Sequence, residues 1–174
     1  MELWDLYDKH GEPLGIVHRR GIPLLPDQYH PVTAIFTVNS KDSILLTRRH
    51  PDKSNGGCWE VTGGCIRAGE DPLTAARREL WEETGIRAET LLPLGRDLAV
   101  LPGDPVLCWS YVLRRDIAVK QLALQENEVT DARWVSPDLL EPLYGAGGLE
   151  PMTGWLWRKY RDRILFCPES WENL

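Results

Sequence analysis

Three glutamates, Glu79, Glu82 and Glu83, stand at spacings i, i+3 and i+4. On a helix that turns roughly 100° per residue they fall within one narrow arc. Like charges at these spacings repel by about 0.2–0.5 kcal/mol per pair. They also occupy the last turn, where the helix dipole disfavours anions. Acids crowded at the unfavourable end of a helix call for a compensating cation. A hard divalent ion with oxygen ligands, Mg²⁺ or Mn²⁺, meets that requirement. A solvated acidic face is the alternative that the helix alone leaves open.

The helix that must carry these acids is well signalled. Asp71 is a good N-cap, Pro72 suits the first helical position, and Leu73, Ala76 and Leu80 form an apolar stripe. Gly85 stands where a left-handed C-terminal glycine is expected. Just upstream, Gly63-Gly64 reads as a flexible loop that lets backbone approach a ligand or metal. Residues 2–18 read as a hairpin, 21–31 as a loop, 31–38 as a buried strand, 39–42 as a turn and 44–47 as its partner strand. Residues 51–57 form a loop by composition. Residues 91–100 and 106–113 read as strands around a turn at Pro102 and Pro105, and Trp134-Val135 as a short strand end. Ser136 caps a short helix through Leu140, and residues 153–164 form a terminal helix. The alternation of strand and helix signals predicts one mixed α/β domain with a sheet between helices.

With 174 residues, of which 43% are hydrophobic, the chain can bury a substantial core. A net charge of −6 argues against a nucleic-acid partner, which selects a basic face. Cys58, Cys65, Cys108 and Cys167 show neither a CxxC pair nor zinc-ligand spacing, and read as reduced, mostly buried thiols. No signal-peptide pattern and no apolar run of about 18 residues is present, so a cytoplasmic protein without a membrane partner is expected.

Residues 64–86, GCIRAGEDPLTAARRELWEETGI, resemble the Nudix box, G-x5-E-x7-R-E-U-x-E-E-x-G-U with U aliphatic. Gly64, Glu70, Arg78, Glu79, Leu80, Glu82, Glu83, Gly85 and Ile86 all fall in register. The resemblance implies a Nudix-type α/β/α sandwich with a mixed central sheet and an N-terminal hairpin. It implies one domain over residues 1–174, with 1–30 as hairpin and loop and 144–174 as a C-terminal helical extension. It implies Mg²⁺ or Mn²⁺ bound by Glu79, Glu82, Glu83 and the Gly63 carbonyl, and a structural salt bridge between Glu70 and Arg78. The general base is either the box residue Glu82 or a later acid, with Glu128 the candidate and Glu126 its competitor. The reaction implied is hydrolysis of a diphosphate linkage in a small nucleoside diphosphate joined to another moiety.

The segment ELWDLYDKHGEPLG, with Tyr29-His30 before a strand, is similar to Nudix proteins grouped with isopentenyl-diphosphate isomerase. Isomerisation of a prenyl diphosphate is therefore an alternative. The isomerases use a cysteine near the position of Gly64, and Cys65 stands one residue late; they also carry a degraded box, whereas this one is intact. A non-catalytic, ligand-sensing Nudix domain is the second alternative, and such domains usually come with a damaged box and a DNA-binding partner domain. For the substrate, Trp109, Trp155 or Trp157 could stack on a nucleobase or belong to the core. Arg48, Arg49 and Lys53 could meet phosphates or remain solvated, and His30 is either near the site or a buried, hydrogen-bonded side chain. Pro102, 16 residues past the box, resembles a marker of ADP-ribose-cleaving members. Trp155, Trp157 and Trp171 could make a homodimer contact or a lid.

Overall fold

The computed structural model describes residues 2–100 and 105–166. Along the chain lie β1 (Leu3–Tyr7), β2 (Pro13–Arg19), β3 (His30–Val38), β4 (Ile44–Arg49), β5 (Trp59–Glu60), β6 (Thr62–Cys65) and α1 (Pro72–Thr84). These are followed by β7 (Leu92–Ala99), β8 (Val106–Arg114), β9 (Val129–Val135), α2 (Pro137–Gly145) and α3 (Pro151–Leu165).

All nine residues of β3 are buried, because both faces of the strand are covered. Val32, Ala34, Phe36 and Val38 point into a cluster with Leu140 of α2 and Leu156, Trp157, Tyr160 and Ile164 of α3. Ile35 points the other way, toward Ala76 and Leu80 of α1. Each such fully buried large side chain stabilises the fold by about 1.5–3 kcal/mol. The sheet thus lies between α1 and the α2/α3 pair, an α/β/α sandwich. Its pairing is mixed. β3 runs parallel to β8 from His30↔Val106 to Val38↔Arg114, whereas β3–β6, β4–β5, β4–β9 and β7–β8 are antiparallel. β1 and β2 form a separate antiparallel hairpin. It is fastened to the loop before α1, where Ala68 N–H donates to Leu3 O at 2.8 Å and Gly69 N–H to Asp5 Oδ2 at 2.7 Å.

Several local expectations need correction. Gly63-Gly64 is not a flexible loop but part of β6, paired with Ala34 and Thr33 of β3. β9 is seven residues long rather than a two-residue strand end; it pairs with all of β4, and its outward Thr130, Asp131 and Arg133 disguise it. β4 likewise runs on through Arg48 and Arg49. α2 continues past Leu140 to Gly145, passing through Pro142, and Ser136 occupies its N-cap position without a side-chain capping bond. α3 starts at Pro151, where the Glu150 carboxylate accepts from Thr153 N–H at 2.8 Å; glutamate is an unusual cap and hid the boundary. Pro102 and the turn at 101–104, Cys167 and Trp171 lie outside the described residues.

Candidate active site

α1 is set by its caps. The Asp71 carboxylate accepts from Leu73 N–H and Thr74 N–H at 3.0 and 3.1 Å. Gly85 closes the helix at φ 73°, donating to Trp81 O at 2.8 Å. Ala75, Ala76 and Leu80 bury against the sheet. The adjoining face, toward β6, carries the acids.

Arg78 gathers two of them, Glu79 and Glu82, together with Glu70 from the loop before the helix. Its Nε and Nη2 donate to the two oxygens of Glu70, both at 2.8 Å, a bidentate pair that is largely buried. Nη1 donates to Glu79 at 2.5 Å and Glu82 at 3.1 Å, and Nη2 also reaches Cys65 O at 3.1 Å. Glu79 sits tight against β6, and a Cβ on Gly64 would lie 2.6 Å from both of its carboxylate oxygens. Burial raises the Glu79 pKa, against the pull of Arg78.

Glu83 is 2% exposed and accepts from Gly63 N–H at 3.4 Å. Among the described residues it takes part in no ion pair. Burial first, and then repulsion from Glu60, push its carboxyl well above the usual range. Glu60, on β5, is itself 7% exposed and bonded to Arg49 at 2.5 Å; burial raises it to about 7 despite that arginine. Glu128 pairs with Lys53. Apart from Glu70, these groups line one cavity of about 940 Å³, bounded among the described residues by seven glutamates and five arginine or lysine side chains.

No three His, Cys, Asp or Glu side chains among the described residues are already drawn together as a metal-binding cluster. The donor set nonetheless suits a hard divalent cation: oxygens only, more carboxylates than cations, and a buried Glu83 that is in no ion pair among the described residues. Arg78 Nη1 supplies the positive charge between Glu79 and Glu82.

The family model described as the NUDIX domain matches residues 28–156. The chain belongs to the Nudix family. An uncharacterized Nudix hydrolase of Listeria monocytogenes is 32% identical over 153 residues, covering 87% of this chain and 89% of the relative. An RNA pyrophosphohydrolase of Novosphingobium aromaticivorans is 32% identical over 133 residues, covering 66% and 82%. A Deinococcus radiodurans protein known from its crystal structure superposes with a TM-score of 0.78 at 25% identity, covering 91% of this chain and 98% of that one. This Nudix chain is a hydrolase, and Nudix hydrolases generally use divalent metal ions.

Within the Nudix frame the remaining candidates separate. Gly63, Glu79, Glu82, Glu83 and Glu128 line the cavity; Glu126 is exposed and does not. Arg49 and Lys53 line it, whereas Arg48 turns to Gly57 O and the Trp59 ring. Trp109, Trp155 and Trp157 are absent from the lining, and Trp157 is core. Trp4 lines it instead, stacked on His30 at 4.3 Å between ring centroids. Cys65 lines it, half-buried, with its thiol pushed up to about 12 by burial. Of the cavity acids, Glu2, Glu60 and Glu150 were not among the residues the sequence singled out, and of these Glu60 lies closest to the chemistry through its repulsion of Glu83. The one signal for Glu60 was a charged residue wedged between Trp59 and Val61.

Proposed function

We propose that this Nudix hydrolase cleaves the diphosphate linkage of a small nucleoside diphosphate joined to another moiety, with Mg²⁺ or Mn²⁺ as cofactor. The observation that carries this reading is the carboxylate surplus of the cavity, with Glu83 buried and outside every ion pair among the described residues. Such a surface repels a diphosphate unless cations accompany it. Glu79, Glu82, Glu83 and the Gly63 carbonyl are the oxygens that would hold the ion. A divalent cation bound there offsets charge on the phosphate oxygens and makes water more acidic.

The chain's own residues do the rest. Glu128 takes a proton from water as its oxygen bonds to phosphorus and the bridging P–O bond breaks. Glu82 is the alternative base. Glu70 holds Arg78 and so fixes the loop before α1 without touching the reacting atoms. Residues 1–174 act as one Nudix domain, its hairpin and terminal helices included. The isomerase alternative needs a reactive cysteine, and Cys65, with its thiol pushed up to about 12, is poorly disposed to ionise.

The test is phosphate release from a panel: ADP-ribose, dinucleotide polyphosphates, NADH, nucleotide sugars, nucleoside triphosphates, triphosphate-ended RNA and isopentenyl diphosphate. Each is run with Mg²⁺ and with EDTA, with and without added phosphatase. Metal-dependent release confined to small diphosphate-linked compounds is expected. Release from RNA alone would overturn the small-molecule assignment, and isomerised isopentenyl diphosphate with no release elsewhere would overturn the hydrolytic one.

A further inference from the structure

We propose that Lys53 and Glu128 form a substrate-operated latch over the cavity: Lys53 holds the Glu128 carboxylate until substrate phosphates draw the ammonium away and free it. The inference rests on the hydrolase reading above and on Glu128 as its proton acceptor.

The backbone around both residues is fastened. Lys53 N–H donates to His50 O at 3.0 Å, and His50 N–H donates to Glu128 O at 2.9 Å, tying the β4–β5 loop to the segment before β9. Arg49 secures the same loop, donating to Ser54 O at 2.7 Å and receiving Gly57 N–H at 3.0 Å. Its guanidinium is in turn held by buried Glu60 at 2.5 Å. By contrast, the link between Lys53 Nζ and Glu128 Oε2 joins two side chains on rotatable stems, 22% and 40% exposed, at the cavity wall. The frame stays while the link can exchange. A lysine ammonium is a compact charge on a flexible stem, suited to moving between acceptors. A diphosphate presents more negative charge than one carboxylate and so competes for it. The Lys53 ammonium takes one lone-pair direction of Oε2 and holds the Glu128 carboxylate turned toward the lysine. Arg49, spent on Glu60 and Ser54, cannot make the same exchange without releasing its loop.

The test is a double-mutant cycle on the affinity of methylenediphosphonate, a non-hydrolysable diphosphate, measured by calorimetry in Mg²⁺. Lys53→Ala should weaken binding about tenfold, the size expected for losing one charge-assisted hydrogen bond. Glu128→Gln should tighten binding about tenfold because Lys53 no longer has to leave a carboxylate. On the Lys53→Ala background the Glu128→Gln change should alter affinity less than about twofold. Thermal melts of the three variants accompany the cycle. Equal tightening by Glu128→Gln on both backgrounds means a simple loss of negative field and overturns the latch. Weakened binding in every variant, with lowered melting, means a structural tie and also overturns it. If the wild-type protein binds no methylenediphosphonate and releases no phosphate from the panel, the hydrolase assignment itself fails, an outcome distinct from both.

Discussion

At the scale of single residues, Arg78 contacts more acid than its one charge can neutralise. Glu70 takes two of its N–H groups in a largely buried pair, while Glu79 and Glu82 share a third nitrogen. Removing the guanidinium leaves three carboxylates without it, so Arg78→Ala should cost about 3 kcal/mol of stability. Arg78→Lys keeps the charge but cannot span both oxygens of Glu70, and should recover only part of that loss. Denaturant titration of both variants checks this; a lysine variant as stable as wild type would show that the bidentate geometry is unimportant. The box residues were legible in the sequence because their spacing is local. Glu60 was not. Its neighbours come from the Thr47↔Glu60 pairing of β4 with β5 and from α1, which lies further along the chain.

At the scale of elements, the site depends on β6 lying close under α1. Gly64 permits this by lacking a Cβ, which would otherwise lie 2.6 Å from the Glu79 carboxylate oxygens. The obstruction falls on the end of a flexible side chain rather than on backbone. Gly64→Ala should therefore cost only about 1 kcal/mol of stability. Displacing Glu79 should still lower metal-dependent turnover at least about tenfold, as altered metal ligation does. Melting and turnover measured on one preparation check the split, and an alanine variant with normal turnover would mean that Glu79 tolerates displacement. α1 was legible to within a residue, through Asp71, Pro72 and Gly85, and so was the hydrophobic run of β3. β6 and most of β9 were not, because glycines in one and outward polar residues in the other carry no strand signature. Their state is decided by the partners they pair with, β3 and β4.

At the scale of the whole molecule, burying acids sets how stability responds to pH. Burial raises Glu60 to about 7, and moves Glu83 and Glu79 upward as well. The folded protein then keeps protons that the unfolded chain releases near 4.5. Stability from these groups is present below that value and is lost as pH rises through about 7. In EDTA the melting temperature should fall between about pH 5 and pH 8, and Glu60→Gln should flatten the slope. A divalent cation should reverse the decline at the alkaline end, since its ligands must be deprotonated. A flat or rising profile in EDTA would contradict the role given to these acids. The most direct test of the central claim, that buried Glu83 belongs to a cation site, is the Mn²⁺ affinity of Glu83→Gln against wild type, read from loss of the free-ion EPR signal. Weakening beyond about tenfold, in a variant that still folds, is the predicted result. Unchanged Mn²⁺ binding in that variant would contradict the account.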